Sequence, residues 1–102
     1  MPEIHLIERL GNYRALNDGS NDWESGYWVV AQETAARLVG GQIYLHDGQD
    51  QPSRFGGNIA SFRVQGGGEL DGRIIFRFTP TRECKGASTD MQGWGNEKKI
   101  VL

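Results

Sequence analysis

Three arginines and a small set of aromatic rings carry the clearest chemical potential in this chain. Arg63, Arg73 and Arg77 fall on two segments with the two-residue alternation of strands, which sends all three to the outward face. Guanidinium groups on such a face hold phosphate oxygens and position a base. Trp23, Tyr27, Trp28, Tyr44, Phe55 and Trp94 stand in or beside predicted loops, where a ring on a concave surface stacks a base for about 1–3 kcal/mol. Tyr44, Trp94, Arg63, Arg73 and Arg77 are therefore the predicted ligand contacts, for RNA, DNA or a nucleotide. The competing reading makes the rings amphipathic fillers of a small β core and the arginines the solvated side of antiparallel strands.

Catalytic and metal chemistry find less support. Cys84 with His5 or His46 has the residue types of a thiol nucleophile and its base, but a thiolate needs a positive surrounding and an oriented partner, and only Arg82 and Lys85 lie near in sequence. The pairs Asp47/Asp50 and Glu69/Asp71 sit in glycine-containing loops that lack an apolar setting to raise a carboxyl pKa. Two histidines and one cysteine, dozens of residues apart, lack the local pairs of a zinc site. Gly66-Gly67-Gly68 has neither a following Lys-Ser/Thr nor a helix, so it reads as a hairpin connection rather than a phosphate loop. No catalytic residue, metal ligand or cofactor is predicted.

A chain of 102 residues predicts one domain over 1–102, and 15 glycines with a hydrophobic fraction of 37% favour tight turns and strands over a helical bundle. The formal net charge of −2 argues against bulk electrostatic coating of nucleic acid while leaving room for a local basic face. A single cysteine and a start without a basic, apolar leader predict a cytoplasmic, soluble protein. No apolar run approaches the roughly 20 residues that span a bilayer, so no membrane association is expected.

These residues need elements to place them. Glu3 to Leu10 fits a strand, or the opening of a short helix. Asn17 to Asp22 is turn chemistry, leading to a strand at Tyr27 to Val30. Gln32 to Val39 places Ala35, Leu38 and Val39 on one helical face and stops at Gly40-Gly41. Gln42 to His46 alternates as a strand, with Tyr44 and His46 opposite Ile43 and Leu45. Gly56-Gly57, after an aromatic, marks a sharp bend or a very close approach of another group. Asn58 to Val64 and Arg73 to Phe78 form a hairpin with Phe62 opposite Phe76 and Val64 opposite Ile74, putting Ala60, Phe62, Val64, Ile74, Phe76 and Phe78 inward and Ile75 outward. Lys85 to Gly95 reads as a mobile loop with Trp94 as its single anchor, plugging the end of a barrel or closing over a ligand, before a last strand at Lys99 to Leu102. The expected fold is α+β and β-rich, a mostly antiparallel pseudo-barrel with one short helix.

From Tyr27 to Phe78 this order, with Ala35-Ala36-Arg37-Leu38-Val39-Gly40-Gly41-Gln42-Ile43-Tyr44 at its centre, resembles the PUA-like pseudo-barrels, which include PUA, ASCH, EVE and YTH domains. The resemblance implies a small bacterial-type module that recognises nucleic acid or a modified nucleotide base, and for ASCH-type relatives a nucleoside or amide hydrolase. The ASCH pattern Gly-x-Lys-x-x-Glu-x-Arg falls on Gly41, Ile43, His46 and Gly48, where only the glycine is present, which weighs against hydrolysis. A third expectation is a non-catalytic subunit that docks on a protein partner through exposed Phe55 or Ile59.

Overall fold

The computed structural model describes residues 2–95 and 97–102. Its elements are β1 (Glu3–Ile7), β2 (Tyr13–Ala15), β3 (Trp23–Trp28), α1 (Gln32–Leu38), β4 (Gln42–His46), β5 (Ser53–Val64), β6 (Ile74–Pro80), a 3₁₀ turn at Arg82–Cys84, and β7 (Lys98–Val101). The strands form one seven-stranded sheet in the order β2-β3-β6-β5-β4-β1-β7. Every neighbouring pair is antiparallel except β1 with β4, so the fold is β-rich α+β with one short helix, as the composition predicts. The sheet does not close into a barrel. It curls instead until the start of β7 meets the end of β3, where the Lys98 ammonium donates to the Val29 carbonyl.

One face of the curl holds the core: Ile4, Leu6, Trp28, Ile43, Leu45, Ile59, Ile74, Phe76 and Phe78, capped by Ala35 and Leu38 of α1. The helix follows its pattern, since seven residues cannot hold a helix alone and Leu38 is fully buried against the sheet. Gly40, at φ +87°, turns the chain out of it. Val39, expected on the packed face, lies beyond the last turn and is exposed. Glu3–Ile7 is a strand rather than a helix, with Ile4 and Leu6 on the core side.

The β5–β6 register matches expectation at Phe62–Phe76 and Val64–Ile74. A bulge between Ile59 and Ser61 then shifts the alternation, so that Ile59 opposes Phe78 inside the core and Ala60 is exposed instead of inward. Val64, at the strand end, is also largely exposed. Ile75, expected outward, is buried because Gly26 of β3 has no side chain: a Cβ there would stand 2.9 Å from the Ile75 Cγ1. Gly56 and Gly57 do mark close approach, since added Cβ atoms would lie 2.1 Å from the Ile43 carbonyl oxygen and 2.0 Å from that of Thr79. Strand β3 begins at Trp23, earlier than its aromatic run suggests, and ends before exposed Val29.

Candidate functional site

The guanidinium groups of β5 and β6 are engaged by the acidic residues of the N-terminal half. Arg63 donates from Nε and Nη2 to the two carboxylate oxygens of Glu24, at 2.9 and 3.1 Å. Arg77 donates from Nε to Asp22 at 2.8 Å and from Nη2 to Asp18 at 3.2 Å, while the Thr79 hydroxyl donates to Asp22 at 2.6 Å. These bonds hold the carboxyls below their ordinary range: Asp22 first through Thr79 and then Arg77, Glu24 first through Arg63 against the opposing effect of burial. Such exposed pairs add little stability, but they neutralise the outward face and pin the 18–22 turn to β6.

Tyr44 and Trp94 are committed elsewhere. The Tyr44 ring stacks on His5 at 4.5 Å, its hydroxyl donates to Gln42 at 2.7 Å, and burial, followed by Cys84 and Glu3, pushes its pKa up to about 12. Trp94 stands edge-on to His46 at 5.6 Å and to His5 at 6.3 Å. Beneath it His5 Nδ1 meets His46 Nε2, His5 Nε2 meets Glu3 Oε1, and His46 Nδ1 meets the Gln51 carbonyl, all at 2.8 Å. Burial depresses the pKa of His46 and raises that of Cys84, so this layer offers a protonated thiol and a neutral imidazole sealed from solvent. That is poor equipment for nucleophilic hydrolysis. Among the described residues no group of three or more His, Cys, Asp or Glu is placed to hold a metal ion.

The 85–95 segment that covers this layer has more anchors than Trp94. Gly86 and Ala87 donate to the Ser53 carbonyl and hydroxyl, Ser53 donates to the Ala87 and Cys84 carbonyls, and the Lys99 ammonium donates to Thr89 and Asp90. Trp94 therefore caps a pair of histidines on the outer side of the sheet rather than a barrel end. The docking surface expected at Phe55 and Ile59 is absent: Ile59 is 2% exposed and Phe55 packs among Tyr13, Trp23 and Phe78.

Arg73 differs from the other two arginines. It donates to the Tyr27 carbonyl at 3.4 Å and, among the described residues, has no carboxylate partner. It stands where the curled sheet stays open. Two adjoining hollows of about 460 and 400 Å³ share Tyr27, Trp28, Arg73 and Glu97; Val29 and Lys98 complete the first, and residues 7–10 and 12 of the turn after β1, with Gly26 and Leu70, complete the second. This is the size range of small-ligand sites. The turn is held by the buried Glu8 carboxylate, whose Oε1 accepts the N–H groups of Leu10, Gly11 and Asn12 at 2.9, 2.7 and 3.3 Å. Of the five residues singled out by sequence, the structure places only Arg73 in this cleft, with Tyr44 and Trp94 together elsewhere and Arg63 and Arg77 in their own ion pairs. Tyr27 carried an aromatic signal; Lys98 carried none, since its position depends on how far the sheet curls.

No family model, curated protein or solved structure matches the chain.

Proposed function

We propose that the protein is a binding module for nucleic acid or a nucleotide base, taking its ligand in the open seam of the sheet between the end of β3 and the start of β7. The observation that carries this reading is the position of Arg73, an arginine without a carboxylate partner among the described residues, bonded to the Tyr27 carbonyl in a concave cleft that Tyr27 also lines. Tyr27 offers a face for stacking, and Arg73 and Lys98 supply charge for a phosphate or a base carbonyl. The resemblance of the Tyr27 to Phe78 sequence to PUA-like modules is in keeping with the same reading. A net charge of −2 with two arginines neutralised favours a local, single-site contact over a broad basic face.

The test is binding of short single-stranded RNA and DNA, followed by fluorescence anisotropy over a salt series. Arg73→Ala and Tyr27→Ala are each expected to weaken binding at least about tenfold, or about 1.4 kcal/mol. Arg63→Ala leaves it within about twofold, because that guanidinium is already occupied by Glu24. Affinity falls as salt rises. Absence of binding to either strand and to free nucleotides, or equal losses in Arg63→Ala and Arg73→Ala, would overturn the reading.

A further inference from the structure

A line of hydrogen bonds runs from the Glu3 carboxylate through His5 and His46 to the Gln51 carbonyl, and its protons can be counted. A carbonyl only accepts, so His46 Nδ1 carries a proton. The Nε2 of a neutral His46 then accepts the His5 Nδ1–H, and the remaining proton lies between His5 Nε2 and Glu3. The line is then full. One more proton, on His46 Nε2, points at the His5 Nδ1–H across 2.8 Å with no acceptor between them.

Both rings are buried, His5 at 2% and His46 at 0% exposure, so a positive charge placed on His46 finds no solvent there. Their cover is the 85–95 segment, through the Trp94 ring.

We propose that the His5–His46 pair is a proton-operated latch, which holds the Trp94 ring and the chain beside it against the sheet while the pair shares one N–H between the rings and releases them when His46 takes a second proton.

The surrounding groups leave His46 as the element that switches. Glu3 faces His5 from its own strand, and Asp47 beside His46 favours its protonation without contacting the pair's shared nitrogen. Tyr44 and Cys84 stay neutral in the relevant range, both being pushed upward by burial. Lys99, opposite His5 on β7, is tied at 2.7 Å to Asp90, whose carboxyl that ammonium holds below its usual range, so this second clasp keeps its charge in mild acid. Burial, reinforced by the charge of His5, holds His46 below the ordinary imidazole range, which puts release on the acid side of about pH 6.5.

The experiment is amide hydrogen exchange on the full chain at about pH 7.5 and about pH 5, expressed as protection factors, with the imidazole ¹⁵N shifts recorded in parallel. Gly95, next to Trp94 and bonded through its N–H to the Lys98 carbonyl, should lose protection at least about tenfold in acid, while Gly86 and Ala87, held by Ser53, and the amides of the β5–β6 ladder keep theirs. The His46 shifts should report a neutral ring with its proton on Nδ1 at the higher pH, and loss of protection should track their titration. In His46→Gln, which retains a neutral donor and acceptor, protection should be the same at both pH values. Unchanged protection through the His46 titration, or the same loss in His46→Gln, would overturn the latch. If that variant does not fold, coincidence of the two wild-type curves decides: coincident curves support the latch and separated curves overturn it.

Discussion

Cys84 lies with its thiol buried, close to Tyr44, over the surface left by Gly56, and its environment decides its reactivity. Burial pushes the thiol up, so the thiolate that attacks electrophiles is scarce at neutral pH. Labelling by a thiol reagent at about pH 8 is expected to be at least about a hundredfold slower in the native protein than in urea; equal rates would contradict the described packing. Part of this was legible from residues alone, because a lone cysteine in a chain with two distant histidines lacks both base and orienting group. The glycine pair at 56–57 was legible too, as a place where backbones nearly touch. The His5–His46 contact was not, since it joins residues 41 positions apart through the parallel register of β1 on β4, which no local pattern announces.

Elements with a clear period emerged from the sequence where packing and propensity agree. Helix α1 and strand β4 are such cases, the change from a 3.6 to a two-residue period being set by Gly40-Gly41. Strand β2 has three residues and no usable period, and the bulge near Ala60 gives no compositional sign, so both depend on tertiary context. The turn after β1 depends on one side chain instead. Glu8 is 3% exposed and collects three backbone N–H groups on a single oxygen. Removing it in Glu8→Ala leaves those donors without their partner, for an expected loss of about 1–3 kcal/mol by urea titration and weaker ligand binding at the seam. Unchanged stability with unchanged binding would mean that the turn is held by other contacts.

At the scale of the whole molecule, the sheet's failure to close matters more than its strand count. Seven strands in linear order curl until β3 and β7 face each other across a cleft, and the charge left there comes from the C-terminal third of the sequence, Arg73 and Lys98 against Glu97. The acidic residues of the N-terminal half, Asp18 and Asp22 in a turn and Glu24 on β3, meanwhile occupy Arg77 and Arg63, so charge distribution along the chain did forecast where cations are found but not which of them are already paired. The proposed function therefore stands on location. The most direct test is a map of backbone and indole NMR shifts while a short single-stranded oligonucleotide is titrated in. Changes concentrated at Tyr27, the Trp28 indole, Arg73 and Lys98 are predicted, with Arg63 and Arg77 still; changes centred on the Arg63–Arg77 face, or on the Tyr44–Trp94 layer, would contradict the account.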